Sequence, residues 1–243
     1  MATDSGALLH EEYSTVSKGG NGRMLASKMG EIILGGQDGL VNVAGVILGL
    51  AAATSEVRII IAGGLAATFA ESLSMAAVAY TSKLADKDYY DAEIAREVEE
   101  IRQDPERKAA QLNGIFHHWG FRGELLDHMT QQITSDEEHW VEIMLAHDVR
   151  LQPVEKSGLL SGAILVGISA IIGSLVPLWP FFFFPVDSAL IIGLISTAIV
   201  LYIVGVVKAK LTIGSPSKSG LQMLVIGMAA AIVGYAIGLL FKQ

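Results

Sequence analysis

The sequence predicts an all-α membrane protein: five transmembrane helices, with a helical bundle inserted between spans 2 and 3. Three observations lead there. Half of the chain is hydrophobic (51%) and its mean hydropathy is +0.48, high for a soluble domain. Five apolar runs come close to the ~20 residues that a bilayer requires of a helix. The charge is uneven: residues 86–156 hold 17 of the 25 Asp+Glu and 8 of the 17 Lys+Arg, a net −9, leaving +1 for the rest. Five of the six histidines also fall in that acidic stretch. With no cysteine, the chain has no disulfides, thiolate metal sites or cysteine nucleophiles. No signal-peptide pattern is evident at the N-terminus. The expected organisation is a tail over 1–30, spans 1 and 2 over 31–84, the insert over 85–156 and spans 3 to 5 over 157–243.

Each element has a sequence reason. Residues 1–27 are rich in Gly and Ser and are expected to be a mobile tail. Apolar runs at 32–53 and 57–81 are joined by Thr54-Ser-Glu-Val, short enough only for a tight turn. No helix breaker follows before Asp104, so the second helix is expected to run on through Glu100. Asp104-Pro105 is a stop and restart, with Asp as N-cap and Pro in the first helical position. That next helix should end at Gly120, and a short one should cover 124–133. Ser135-Asp-Glu-Glu138 reads as a capping box opening a last helix, which should end near Leu151-Gln-Pro153. The remaining runs lie at 159–178, 189–207 and 221–241. Trp179-Pro-Phe-Phe-Phe-Phe-Pro185 reads as an aromatic anchor at the interface. Gly158-x-x-x-Gly162 and Gly234-x-x-x-Gly238 permit close helix approach, read here as packing within one chain.

Basic residues set the orientation. Lys18, Arg23, Lys28, Lys83, Lys87, Arg150, Lys156, Lys208, Lys210 and Lys218 fall on one side, against Arg58 and Lys242 on the other. The N-terminus and the insert are therefore expected in the cytoplasm.

Carboxylates inside apolar spans point to function, because burying a charge in hydrocarbon is costly. Asp38 lies in the cytoplasmic half of the first span and Glu71 near the middle of the second. Met75, four residues after Glu71, shares its helix face. The expected series is Glu31 at the cytoplasmic mouth, Asp38 with Met75 next, and Glu71 deeper. Carboxylate and thioether together favour first-row transition metals over Mg2+ or Ca2+. One Asp and one Met are too few ligands, and a two-fold dimer axis beside the first span would double them. Such a site holds either protons or metal, a physical basis for proton–metal exchange. In the insert, Glu93, Glu97 and Glu100 share one helix face, and Met144 and Asp148 share another. If the two faces meet they form a second metal site; the alternative is a solvated charged face.

Together these residues resemble the vacuolar iron transporter family. The matching pieces are Glu31-x-x-x-Gly-x-x-Asp38-Gly-Leu-Val, Ala70-Glu71-x-x-Ser-Met75-Ala, Val176-Pro177-Leu-x-Pro180 and Gly220-Leu-x-Met-Leu-x-Ile-Gly227, with Tyr235 and Gly238. The resemblance implies a homodimer with the ion path between subunits and a cytoplasmic metal-binding insert. It implies export of iron(II) or manganese(II), with zinc or cobalt as further cargo, from the cytosol in exchange for protons. Glu31, Asp38 and Met75 would lie in the path; Glu97, Glu100, Met144 and Asp148 would bind metal in the insert. The membrane would be vacuolar in a eukaryote and cytoplasmic in a prokaryote. No prosthetic group, nucleic-acid partner or enzymatic activity is expected.

Three departures stand out. Val78-Ala79-Tyr80 replaces the family's Gly-Glu-Tyr, Lys108 and Gln111 replace two glutamates, and Asp148 replaces a third. Fewer acids predict weaker metal binding by the insert. The alternative reading is a membrane-anchored ferritin-like sensor or di-iron oxidase, which needs paired Glu-x-x-His motifs. Asp136-x-x-His139 is the nearest, and it is single.

Overall fold

The computed structural model describes the backbone of residues 5–149, 158–212 and 214–242, with side chains from Lys28 onward except those of residues 148 and 149. Eight α-helices account for nearly all of it: α1 (Ser5–Ala53), α2 (Val57–Gln103), α3 (Pro105–His118), α4 (Gly123–Thr134), α5 (Glu137–Met144), α6 (Leu159–Leu178), α7 (Val186–Leu211) and α8 (Pro216–Leu240). Five of them (α1, α2, α6, α7 and α8) contain segments long and apolar enough to cross a membrane. The chain divides into two compact units, Met1–Tyr80 with Leu160–Gln243, and Thr81–Leu159. The long α2 gives its first part to one and its second part to the other.

The membrane unit is organised around α1. Glycines let its backbone touch two neighbours at once. A Cβ on Gly173 of α6 would overlap the Gly36 carbonyl, and one on Gly238 of α8 would overlap that of Gly49. Gly234 meets Gly45 in the same way. Without a hydrophobic driving force between helices in lipid, such close approach supplies the van der Waals contact that holds them. The Gly234/Gly238 pair thus packs within the chain, as expected, whereas a Cβ at Gly158 would meet nothing. A core of Val43, Ile47, Ile60, Leu178 and Phe181 joins α1, α2, α6 and the turn that follows α6. That turn is a short 3-10 helix over Trp179–Phe182. It buries Pro180 and Phe181 and leaves Trp179, Phe182, Phe183 and Phe184 exposed.

The second unit has its own core: Ile101, Leu112, Phe116, Leu126, Trp140, Val141, Met144 and Leu145. Asp104 caps α3 by accepting from the Arg107 amide at 3.1 Å. Gly120, with φ +104°, turns the chain out of α3. The backbone of α1 is helical from Ser5. One expectation needs correction. The cap of α5 is Asp136, whose carboxylate accepts from the Glu138 and His139 amides, and Ser135 instead donates to Gln132 and closes α4. An ionised acceptor bonds the amides at a helix N-terminus more strongly than a hydroxyl does. After α5 the backbone widens into a π-helical turn, Leu145–Val149; the expected end near Leu151-Gln-Pro153 lies outside the described residues.

Candidate metal path and acidic cluster

In the membrane unit, Asp38 and Asn42 are four apart on α1 and share a face. On α2, the Thr68 hydroxyl bonds to the Gly64 carbonyl and the Ser72 hydroxyl to the Thr68 carbonyl, so both are satisfied within their own helix. Glu71 instead reaches across: Asn42 Nδ2 donates to its Oε1 at 3.0 Å. Asp38 is within hydrogen-bonding reach of both Glu71 and Asn42. Neither of these partners is basic.

Glu71 therefore sits level with Asp38, not deeper. Counted from residue 55 in the middle of the connection, Asp38 lies seventeen residues back and Glu71 sixteen on, so the antiparallel hairpin itself sets this register. Met75 follows one turn later on α2, half-buried, and Glu31 lies half-buried two turns before Asp38 on α1. Asn42 is absent from the residues expected in the path, although its i+4 spacing from Asp38 carries the signal.

The acids of the second unit are arranged differently. Lys108, one turn into α3, points back at α2. Its Nζ lies 2.7 Å from both Glu97 oxygens and 2.9 Å from Glu100 Oε2. Lys108 and Glu97 are 2% and 5% exposed, so this ion pair is part of the interior. Arg107 and Arg96 lie 3.5 and 3.4 Å from Glu100, and Arg96 lies 3.7 Å from Glu93. Burial alone would lower the Lys108 pKa; hydrogen bonds to Glu97 and Glu100 outweigh it and hold the ammonium above its usual range. The hydrogen bond and charge of Lys108 in turn hold Glu100 below the usual carboxylate range. Met144 is fully buried in the second unit's core, and the side chain of Asp148 lies outside the described residues.

Among the described residues, no three histidines share a site. His139 Nδ1 bonds to the Asp136 carboxylate at 2.8 Å, which raises the histidine and lowers the aspartate from their ordinary pKa values. Asp136-x-x-His139 is thus a capped helix start, the role its position at α5 gives it. His118 and His147 line an open pocket of about 690 Å3 with Gln111 and Trp119. Among the described residues no three His, Asp or Glu side chains converge as a metal site would require.

Comparison with known proteins fits this architecture. A family model described as the VIT family matches residues 29–239. "Vacuolar iron transporter 2" of Oryza sativa subsp. japonica is 30% identical over 84% of each chain. "Vacuolar iron transporter 1" of Tulipa gesneriana is 28% identical over 85% of this chain and 84% of its own. "Protein CCC1" of Saccharomyces cerevisiae is 28% identical over 83% of this chain and 65% of its own. The match runs from before Glu31 to the last turn of α8 and includes both the membrane acids and the acidic unit; this chain belongs to the VIT family.

Proposed function

We propose that the protein is a multi-pass membrane carrier that moves a divalent transition metal, iron(II) or manganese(II), out of the cytosol in exchange for protons. The relatives' names support iron as cargo and the vacuolar membrane as location. The observation that carries the reading is the contact between Asp38 and Glu71 inside two membrane-spanning helices, with Asn42 as their polar partner. A proton shared by the two carboxyl groups and a divalent ion bridging them are mutually exclusive, so one ion leaves as the other enters. Met75, one turn from Glu71, adds a soft donor.

A single copy offers too few ligands for a desolvated ion. A second copy related by a two-fold axis would repeat Asp38, Glu71 and Met75 and complete the coordination. In this reading Glu31 gathers cations at the cytoplasmic entrance, and the second unit faces the cytoplasm. The test is metal uptake into sealed vesicles under an imposed proton gradient. Uptake should follow the gradient and be lost in Asp38→Asn. Gradient-independent uptake, or an Asp38→Asn variant as active as the parent, would refute the exchange mechanism.

A further inference from the structure

The resemblance implies a resident metal in the second unit, bound by Glu97 and Glu100, and the geometry does not fit one. An ammonium has three N–H donors. Those of Lys108 have three acceptors at 2.7, 2.7 and 2.9 Å, two on Glu97 and one on Glu100. Glu93, Glu97 and Glu100 face Arg96, Arg107 and Lys108, and the fourth carboxylate, Asp104, is shared between Arg107 and the cap of α3. A divalent ion bound by Glu97 and Glu100 needs their oxygens free of a tethered cation. Here a divalent ion would meet a buried cation and would have to leave it without a partner. Met144, the soft ligand expected opposite, is fully buried among Leu112, Phe116 and Trp140. We propose that Lys108 is a built-in cation that occupies the charge position of a metal ion, so that the second unit folds around it and holds no metal at Glu97 and Glu100. The Asp104-Pro105 restart makes this possible, because it places residue 108 in the first turn of α3 directly across from α2.

The inference stands apart from the transport reading and is tested on the full-length protein in detergent, in an Asp38→Asn background that silences the membrane pair. Bound Mn2+ is measured by equilibrium dialysis with electron paramagnetic resonance, and unfolding by tryptophan fluorescence with Mn2+ or with chelator. The parent and Glu97→Gln should bind the same amount of Mn2+, and the parent's melting temperature should be the same in Mn2+ and in chelator. Lys108→Glu should gain at least one Mn2+ equivalent and be stabilised by it by more than about 5 °C. The proposal is overturned if the parent binds an equivalent of Mn2+ that Glu97→Gln loses, or if Mn2+ raises the parent's melting temperature by that margin. Should Lys108→Glu fail to fold, the two measurements on the parent still decide.

Discussion

Two sets of carboxylates, one in each unit, share a sequence signature and differ in their counter-charges. Asp38 and Glu71 have each other and an amide. Glu97 and Glu100 have an ammonium that is covalently part of the chain. Carboxylates with no cation among their described partners are open to mobile cations, whereas those with a tethered partner serve the fold. Acidic residues in a helix face therefore do not identify a metal site until the nearest cation has been found.

Removing Lys108 should erase the difference between the two sets. Lys108→Met leaves Glu97 buried without its partner and should destabilise the protein by about 3 kcal/mol. Denaturant unfolding followed at the tryptophans reads this out. The same variant should become sensitive to divalent ions, which would supply the lost charge.

Next in size is the packing that fixes Asp38. Gly173→Ala drives a methyl into the Gly36 carbonyl and should cost about 2 kcal/mol as α1 and α6 are forced apart. Thermal unfolding in detergent measures it. Gly30→Ala, with open space around the added methyl, is the control and should be neutral or slightly stabilising.

Asn42→Leu probes the membrane pair more gently. It removes the donor to Glu71 and should cost about 1 kcal/mol. It should also slow vesicle uptake while leaving the second unit untouched.

The smallest effect concerns His139. Its pKa is raised by Asp136, so the stability it contributes is fully present below its ordinary value of 6.5 and is lost as pH rises through the raised value. The Asp136 pKa is lowered, so its contribution is present above 3.8 and is lost in acid. A melting-temperature profile from pH 5 to 9 should fall slightly at its upper end in the parent and stay flat there in His139→Gln.

The helices were legible because span length, the Asp104-Pro105 restart and the Thr54–Val57 connection are local signals. The partners were not, because they depend on register between helices. Asp38 and Glu71 are level only because the hairpin turn is so short, one helical turn away from the expected series. Lys108 reads in the sequence as a lost acid rather than as a gained cation, since its target lies eleven residues back on another helix. The Ser135 capping box failed for a simpler reason: Asp136, one residue later, is the stronger acceptor.

The most direct measurement compares metal uptake in proteoliposomes for the parent, Asp38→Asn and Glu97→Gln under the same proton gradient. The account predicts that Asp38→Asn loses uptake by more than about tenfold, the equivalent of about 1.4 kcal/mol, while Glu97→Gln stays near the parent. Normal uptake by Asp38→Asn together with its loss in Glu97→Gln would contradict it.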